Sequence, residues 1–360
     1  MTCLGDQLGM EFSPEEIAEA KKRRGLLSLE LELSRVCNLR CIYCYAGSGV
    51  ALANEITLDE IYSVIEQAID LGVKKIIVLG GGEPLIYPHL FEVLNYIRSK
   101  DLVCDLFTNG QTLDDEIAKR LYELKVGVVL KMNSRNPEIQ DFLGGRKGTF
   151  EAIEKGLKSL RSVGYPSEDC SLGVETIICR QNYDELPDLW RWARLEGIAP
   201  YVEAMTMQGR ANDHKELEVS PAEIKSLFEE LARIDRDEFL CNWVPHPPLA
   251  ASHCARHEYS CTVTSVGDVQ PCPGVNVSVG NIRETKLADL LHQSPVIEDL
   301  RNIRSRIKGQ CSDCENLDHC YGCRGHAYHV TGDYLAEDPL CWLGEAESAA
   351  VPLSRVAGKK

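Results

Sequence analysis

Three cysteines in one short loop are the residues of this sequence best suited to chemistry. Cys37, Cys41 and Cys44 follow a strand-like segment with the spacing C-x3-C-x2-C. Their thiols cannot all pair with one another, but they can converge on one soft metal centre. A structural zinc ion takes four protein ligands, whereas three cysteines suit a [4Fe–4S] cluster with one open iron. The spacing therefore predicts a metal site with a free position; a zinc knuckle or chance clustering is the alternative.

A second group of cysteines lies near the C-terminus. The chain has 16 cysteines, and eight of them fall between residues 254 and 341: Cys254, Cys261, Cys272, Cys311, Cys314, Cys320, Cys323 and Cys341. Because the N-terminus has no apolar signal segment, so many cysteines indicate metal binding rather than disulfides. Two close C-x2-C pairs alone suggest a zinc ribbon, but eight thiolates also suffice for two closed [4Fe–4S] sites.

The first motif resembles the signature of the radical SAM enzymes, which has an aromatic residue before the last cysteine, as in Tyr43-Cys44. In that family the open iron chelates the amino and carboxylate groups of S-adenosylmethionine (SAM), and SAM cleavage releases a 5′-deoxyadenosyl radical. A glycine-rich segment after the second predicted strand is similar to the family's GGEP motif. The resemblance implies that this segment binds the methionine part of SAM through Gly81, Gly82, Glu83 and Pro84.

Polar residues after the third and fourth predicted strands are further candidates for cofactor binding, because binding residues of parallel barrels collect at strand ends. Asn109 follows strand three, where a plain turn is the alternative. Many radical SAM relatives have a serine-leucine-aspartate-glycine run after strand four, and this chain departs from that pattern. We expect Lys131 to pair with the methionine carboxylate, or Asn133 and Ser134 to bind the ribose. No residue is indicated as the acid, the base or a radical relay.

The cysteine-rich tail resembles the SPASM extension of radical SAM enzymes, which holds auxiliary iron–sulfur clusters. That resemblance implies one auxiliary cluster on Cys254, Cys261, Cys272 and Cys323. It implies a second auxiliary cluster on Cys311, Cys314, Cys320 and Cys341. The short gap before Cys323 leaves Cys241 as a spare ligand, and the alternative histidine ligands are His319, His326 and His329.

Alternating helices and strands must position these motifs. Residues 28–34 alternate between polar and apolar types, which predicts a first strand with Glu30 and Glu32 on one face, either in a polar interior or in solvent. Helix–strand units then repeat until about residue 205, giving six strands, and such units form a parallel sheet with right-handed crossovers. The predicted fold class is therefore α/β: a partial (β/α)6 TIM-like barrel with a small cysteine-rich C-terminal iron–sulfur domain.

Composition and motif positions suggest four segments. These are an N-terminal extension (1–26), the radical SAM partial barrel (27–237), the SPASM-like auxiliary cluster domain (238–345) and a C-terminal tail (346–360). A net charge of −16 argues against a nucleic-acid partner, which needs a basic face on the protein. No apolar run approaches the length of a membrane span, so we expect a soluble, cytoplasmic protein without a membrane partner.

The resemblance implies an oxidoreductase-type radical SAM enzyme that modifies its substrate by hydrogen-atom abstraction, with auxiliary clusters that take an electron or bind substrate. A ribosomally made peptide or protein is the leading substrate class, and a small metabolite such as a sugar or nucleoside is the alternative. The expected electron donor is a flavodoxin or ferredoxin. Pro273 stands where sulfatase maturases of the family have an aspartate, which argues against that activity. A non-enzymatic zinc or iron–sulfur protein for interaction or electron transfer is the contrasting hypothesis.

Overall fold

One sheet organises the computed structural model, which describes residues 12–343. The strands in these residues are β1 (Ser28–Glu32), β2 (Lys75–Leu79), β3 (Val103–Thr108), β4 (Gly127–Lys131), β5 (Leu172–Ile178), β6 (Ala199–Ala204), β7 (Ser260–Val263) and β8 (Val269–Gln270). They pair in the order β6-β5-β4-β3-β2-β1-β7-β8, and only the β7–β8 pair is antiparallel. The six consecutive parallel strands confirm the predicted α/β class and partial barrel.

Helices connect the strands and cover the outer face of the sheet. Those of the described residues are α1 (Pro14–Lys22), α2 (Leu58–Asp70), α3 (Leu90–Ser99), α4 (Asp115–Glu123), α5 (Pro137–Gly144), α6 (Thr149–Val163), α7 (Leu186–Leu195), α8 (Pro221–Phe239), α9 (Leu287–Gln293), α10 (Pro295–Arg301), α11 (Ile303–Arg306) and α12 (Arg324–Thr331). Capping boxes begin α1, α2 and α8 at Ser13, Thr57 and Ser220. No helix within residues 12–343 has the length and apolar character needed to cross a membrane.

The two faces of the sheet differ in polarity. On the outer face, Leu29 and Leu31 of β1 pack in the main core with the apolar stripe of α2, which includes Ile61. On the inner face, Glu30 and Glu32 are only 1% and 2% exposed. The interior of the partial barrel is therefore polar, which decides between the two environments predicted for these glutamates. Buried carboxylates of this kind need charged or hydrogen-bonding partners.

The cysteine-rich region continues the same sheet. Strand β7 pairs in parallel with β1, so that Cys261 lies opposite Leu29 and Thr262 opposite Glu30. Helices α9 and α10 add Leu287 and other apolar residues to the main core. The boundary predicted between residues 237 and 238 falls near the end of α8 and stays a prediction.

A buried ion pair joins α7 to α8. Asp235 of α8 is fully buried, and its carboxylate accepts hydrogen bonds from the Arg194 guanidinium at 2.6 and 3.0 Å. The indole nitrogens of Trp190 and Trp243 donate to the same carboxylate at 2.8 and 2.9 Å. All four donors therefore depend on one side chain.

We expect Asp235→Ala to lower the free energy of unfolding by about 3–5 kcal/mol, because it leaves a buried guanidinium without its counter-charge. Anaerobic denaturant unfolding followed by circular dichroism measures the loss. Asp237→Ala is the matched control: this exposed residue on the same helix pairs with Arg236 and Arg233 in solvent, so its loss should be much smaller. Equal losses in the two variants would contradict the assignment.

Candidate functional site

The cysteine loop, residues 33–50, begins at the carboxyl end of β1. A parallel bridge between Val36 and Gly49 closes it. Within the loop, burial raises the pKa of Cys41 to about 12, and the nearby sulfurs of Cys44 and Cys37 contribute to the rise. Cys41 can therefore act as a thiolate ligand at neutral pH only if a bound cation stabilises its charge.

The end of α5 holds one side of the cysteine loop. The backbone N–H of Arg40 donates to the carbonyl of Gly144 at 3.3 Å, and that of Ile42 donates to the carbonyl of Leu143 at 3.1 Å. Helix α5 is an addition to the predicted elements, although Asn136 caps it and a left-handed glycine follows it. Because its last carbonyls have no partners within the helix, they are available to fix the loop backbone.

Arg210 holds the other side of the cysteine loop. Its guanidinium donates to the carbonyls of Cys41 and Ser48, each at 2.8 Å. The preceding Gly209 packs so closely that a Cβ there would lie 2.2 Å from the carbonyl oxygen of Tyr45. The segment after β6 thus supports the cysteine loop.

The GGEP segment packs its backbone directly on the cysteine loop. A Cβ on Gly82 would lie 2.0 Å from the carbonyl oxygen of Val36, and one on Gly81 would lie 2.8 Å from the Glu32 carboxylate. The N–H of Glu83 donates to the same Val36 carbonyl at 2.8 Å. Glycine is therefore required at position 82, where a backbone carbonyl leaves no space for a Cβ, whereas only side-chain atoms are close to position 81. Pro84 begins the short turn that follows.

The Glu83 side chain ties the ends of two strands together. Its carboxylate accepts hydrogen bonds from the Thr108 hydroxyl at 2.5 Å, from Asn109 N–H at 2.7 Å and from Leu85 N–H at 2.9 Å. Burial raises the pKa of Glu83, and these donors oppose the rise. Three donors around one buried carboxylate fix the position of the GGEP backbone. A contact of Glu83 with SAM stays a prediction.

Asn109 connects the end of β3 to the cysteine loop. Its amide nitrogen donates to the Asn38 side chain at 2.8 Å and lies 3.8 Å from the sulfur of Cys37. Its backbone N–H binds Glu83. The predicted candidate therefore lies beside the cluster cysteines, and its contact with SAM stays a prediction.

Lys131 also lies beside the cysteine loop. Its ammonium group is 2.9 Å from the Glu175 carboxylate and 5.2 Å from the centre of the Tyr43 ring. It is near enough to Cys41 to lower the pKa of that thiol, against the larger effect of burial. This position suits the predicted pairing with the methionine carboxylate, which stays a prediction.

Asn133 and Ser134 have different surroundings. Both are fully buried, and their backbone N–H groups donate to the Gln140 side chain at 2.8 and 3.0 Å. The Asn133 side-chain oxygen accepts from Ile177 N–H at 2.9 Å. These contacts fix the end of β4, so a role in positioning has more support than the predicted ribose contact.

A set of polar side chains crosses the inner face of the sheet. We call it the lumen row, and it consists of Glu30, Lys131, Glu175, Tyr201, Glu203 and Arg256. Arg256 pairs with Glu30 at 2.7 Å and donates to the Tyr201 hydroxyl at 3.4 Å. At the other end, Lys131 pairs with Glu175 next to Cys41. The row extends to Cys254, whose raised pKa is opposed by nearby Arg256.

Glu203 is the titrating member of the lumen row. Burial raises its pKa to about 8, the neighbouring Glu175 carboxylate adds to the rise, and Lys131 opposes it. Two carboxylates in one partly buried site do not both ionise readily, so one proton is retained near neutral pH. Glu203 is therefore placed to accept or release a proton in the barrel interior.

The tail cysteines form two groups. In the first group, burial raises the pKa of Cys323, and the Asp338 carboxylate adds to the rise. The sulfurs of Cys272 and Cys254 contribute as well, so these two cysteines lie near Cys323. The fourth cysteine implied for this site, Cys261, is fully buried in the main apolar core.

The second group lies beside the first. Burial raises the pKa of Cys320 to about 12, with added effects of Cys341 and Cys311. It raises the pKa of Cys341 to about 11, with added effects of Cys311 and Cys314. Cys311, Cys314, Cys320 and Cys341 therefore lie in one region, and their role as ligands of a second auxiliary cluster stays a prediction. Cys241, the suggested spare ligand, is in a disulfide.

Backbone donors to sulfur test whether these residues fit iron–sulfur clusters. Five cysteines accept an N–H from two or three residues further along: Cys37 from Leu39 (3.5 Å), Cys272 from Val275 (3.2 Å), Cys314 from Asn316 (3.4 Å), Cys320 from Gly322 (3.3 Å) and Cys341 from Leu343 (3.4 Å). Such donors stabilise thiolate ligands and tune cluster potentials, so the donor set fits. Among the described residues, no three histidine, cysteine or acidic side chains are arranged to hold a single metal ion.

Two known protein families match this chain, one over the cysteine loop and one over the first part of the cysteine-rich tail. The radical SAM superfamily model matches residues 31–193, and an iron–sulfur cluster-binding domain, SPASM, matches residues 254–315. The AdoMet-dependent heme synthase of Methanosarcina barkeri is 31% identical over 338 residues, covering 86% of this chain and 94% of the relative. The pre-heme d1 synthase of Dinoroseobacter shibae is 27% identical over 355 residues, covering 88% of this chain and 86% of the relative.

A maturase and a protein solved with a bound precursor peptide are also similar to this chain. The mycofactocin maturase MftC of Mycolicibacterium smegmatis is 27% identical over 339 residues, covering 89% of this chain and 84% of the relative. Among solved structures, Streptococcus suis SuiB bound to the precursor peptide SuiA is similar with a TM-score of 0.69 at 20% identity. The structural match covers 90% of this chain and 78% of the SuiB chain. At this identity the structural likeness concerns the fold alone.

We expect Gly82→Ala to weaken SAM binding at least about tenfold, or ~1.4 kcal/mol, because its Cβ would collide with the Val36 carbonyl and displace the GGEP backbone. Anaerobic isothermal titration of the reconstituted protein with SAM measures this. The control is Gly47→Ala in the cysteine loop. A Cβ at that position meets nothing within 4 Å, and only the left-handed backbone is strained. Unchanged affinity in Gly82→Ala would refute the packing argument.

We expect Glu203→Gln to change how stability depends on pH. The folded chain keeps the Glu203 proton up to about pH 8, whereas the unfolded chain loses it near its ordinary pKa of 4.5. Stability should therefore fall as pH rises through this window, by roughly 1–3 kcal/mol, and the variant should remove that loss. Unfolding midpoints of the reconstituted protein against pH measure it, with exposed Glu229→Gln as control. A wild-type slope retained in Glu203→Gln would argue against the proton at Glu203.

Proposed function

Since the chain belongs to the radical SAM superfamily and carries a SPASM domain, we propose that it oxidises a carboxylate-bearing heme precursor by hydrogen-atom abstraction. The observation that carries this proposal is the 31% identity to a heme synthase over nearly the whole length of that relative. The similarity to a pre-heme d1 synthase, with a related product, supports it.

The cofactors of this enzyme are SAM and [4Fe–4S] clusters. When bound, they supply a 5′-deoxyadenosyl radical that removes a hydrogen atom from the substrate. Cys37, Cys41 and Cys44 are the proposed ligands of the SAM-binding cluster. The proposed contacts to SAM are Lys131 and the backbone of Gly81 and Gly82, because these residues pack against the cysteine loop. We propose a flavodoxin or ferredoxin as the electron donor.

The lumen row is the proposed substrate site. It extends from Lys131, next to Cys41, to Arg256, next to Cys254, so it joins the two regions that hold clusters. Arg256 and Lys131 are cations that can bind substrate carboxylates through charge-assisted hydrogen bonds. Their present partners, Glu30 and Glu175, must then share them with the substrate.

An oxidation at this site has to dispose of one hydrogen atom, one electron and one proton. The hydrogen atom leaves to the adenosyl carbon, and an auxiliary cluster near Cys254 is the proposed electron acceptor. If the product forms by loss of a C–H proton, we propose the ionised Glu203 carboxylate as the acceptor; it must first give up the proton that it retains near neutral pH. A substrate that loses carbon dioxide instead would not need Glu203.

A ribosomally made peptide is the second candidate substrate. The similarity to a mycofactocin maturase at 27% identity favours it. A carboxylate at the C-terminus of a peptide would satisfy the same two cations of the lumen row. A sugar or nucleoside is a third class, without a specific observation in its favour.

Substrate assays separate the candidates. Anaerobically reconstituted protein receives SAM, a reductant and one probe: iron porphyrins with different numbers of carboxylate side chains, or the precursor peptide of mycofactocin. We expect substrate-dependent formation of 5′-deoxyadenosine and a mass change only with a porphyrin. A modified peptide and unmodified porphyrins would instead establish the second candidate.

We expect the triple variant Cys37→Ala/Cys41→Ala/Cys44→Ala to form no 5′-deoxyadenosine, since SAM then has no open iron to bind. Chromatography of the reaction mixture measures this. Cys104→Ala, which removes a buried cysteine of the main core, is the control and should retain SAM cleavage. Equal cleavage by the triple variant and the wild type would end the proposal.

We expect Cys314→Ala, in the second tail group, to retain at least about half of reductive SAM cleavage while losing product formation, because electron removal from the substrate fails. The ratio of 5′-deoxyadenosine to product measures this uncoupling. Parallel loss of both activities would point to a structural role for that cysteine group.

A further inference from the structure

Asp338 contacts cysteines from both tail groups. Its carboxylate accepts a hydrogen bond from the backbone N–H of Cys323 at 2.6 Å, and its backbone carbonyl accepts one from the N–H of Cys341 at 3.0 Å. Burial raises the pKa of the Cys311 thiol, and the backbone N–H of Asp338 opposes this rise, so Asp338 also lies beside that sulfur. The resemblance implies that Cys323 binds the first auxiliary cluster, and that Cys311 and Cys341 bind the second. One residue therefore connects the two proposed cluster sites.

The Asp338 side chain brings a negative charge to this position. It is fully buried, and burial raises its pKa. The nearby His326 ring and the N–H groups of Cys323 and Leu340 lower the pKa more, so it ends below its usual value. Leu340 N–H donates to the carboxylate at 2.9 Å, and Nδ1 of His326 is 3.4 Å from it. Because nearby charge sets cluster potentials, an ionised carboxylate here makes both clusters harder to reduce.

Arg324 brings a positive charge to the same place. It is 1% exposed, and its Nη1 donates to the backbone carbonyls of Tyr334 and Ala336. Its Nε and Nη2 atoms are buried without a hydrogen-bond partner in residues 12–343. A Cβ on Gly322 would lie 2.9 Å from Oδ2 of Asp338 and 3.1 Å from Nη2 of Arg324, so both charged groups flank this glycine. Buried donors of this kind require acceptors, and the electron-rich sulfur of a bound cluster can serve as one.

We propose that Asp338 couples the two auxiliary clusters and lowers their reduction potentials, and that Arg324 raises them. The inference rests on the auxiliary clusters of the proposed function and leaves their cysteine ligands as the resemblance implies. Both residues act on the clusters through charge and hydrogen bonds, so they are positioning residues rather than ligands. An added electron on either cluster is destabilised by the carboxylate and stabilised by the guanidinium. The balance of the two charges then decides how readily an electron leaves the substrate radical.

Redox titrations of the reconstituted full chain, followed by EPR, test the opposed charges. The Cys37→Ala/Cys41→Ala/Cys44→Ala background leaves only the two auxiliary clusters, with ~8 irons per chain. We expect Asp338→Asn to raise both midpoint potentials, because the amide keeps an acceptor for the Cys323 N–H but has no charge. Arg324→Gln should lower both potentials. Arg324→Lys, which keeps the positive charge, should leave them closer to the values of the unaltered background.

Asp333→Asn is the matched control, since it removes a partly exposed carboxylate of the same loop that pairs with Lys308. Its midpoint potentials should equal those of the unaltered background. Shifts in the same direction in Asp338→Asn and Arg324→Gln, or no shift in either at full iron content, would overturn the proposal. Loss of iron from Asp338→Asn would show that this residue only holds Cys323 in place, and would overturn the charge argument. No SAM, substrate or turnover enters these measurements, so their outcome is independent of the porphyrin assay.

Discussion

The buried carboxylate of Glu83 is the constraint on which the site depends. It holds the Thr108 hydroxyl and the N–H groups of Asn109 and Leu85, while the Glu83 N–H holds the Val36 carbonyl. The segments that follow β1, β2 and β3 are thereby held together by one buried residue. The preceding residue, Gly82, packs against the cysteine loop so closely that a Cβ would collide with the Val36 carbonyl. Loss of this carboxylate would leave several buried donors unpaired, which is costly.

Ion pairs inside the barrel also hold distant parts of the chain together. Two glutamates of β1 are buried, and each has a cation beside it: Arg256 for Glu30 and Arg35 for Glu32. Arg256 comes from the tail and Glu30 from the first strand, so the ion pair joins the two cysteine regions. Polar groups concentrated in a low-dielectric interior interact strongly, which suits both substrate orientation and proton retention at Glu203.

Much of this arrangement was predictable from the sequence. Alternating helix and strand patterns predicted β1 to β6. The capping boxes at Ser13, Thr57 and Ser220 are local sequence signals of the same kind for helix starts. The cysteine spacing and the GGEP motif predicted a SAM site at one edge of the sheet. Each of these signals is local, since a few neighbouring residues contain it.

Long-range contacts were not predictable in the same way. The placement of Arg210 against the Cys41 carbonyl, and of Arg256 against Glu30, depends on pairing between distant segments that no local pattern encodes. A buried Glu30 did require some cation, but many arginines were available. Helix α5 could have been predicted from the sequence, because Asn136-Pro137 is an ordinary helix start and Gly145 an ordinary helix end. The face on which Cys261 lies depends on β7 register, which spacing alone does not determine.

The parallel pairing of β7 with β1 has a consequence for assembly. Strand β1 sits between β2 and β7, yet β7 comes from residues 260–263, more than 200 positions later in the chain. Contacts between such distant segments close slowly, and a ribosome delivers the second partner only after most of the polypeptide has emerged. Until then one edge of β1 lacks its neighbour, and the lumen carboxylate of Glu30 lacks its arginine. Iron–sulfur insertion at the tail must therefore follow nearly complete synthesis, and a truncated product would expose an unpaired, aggregation-prone edge.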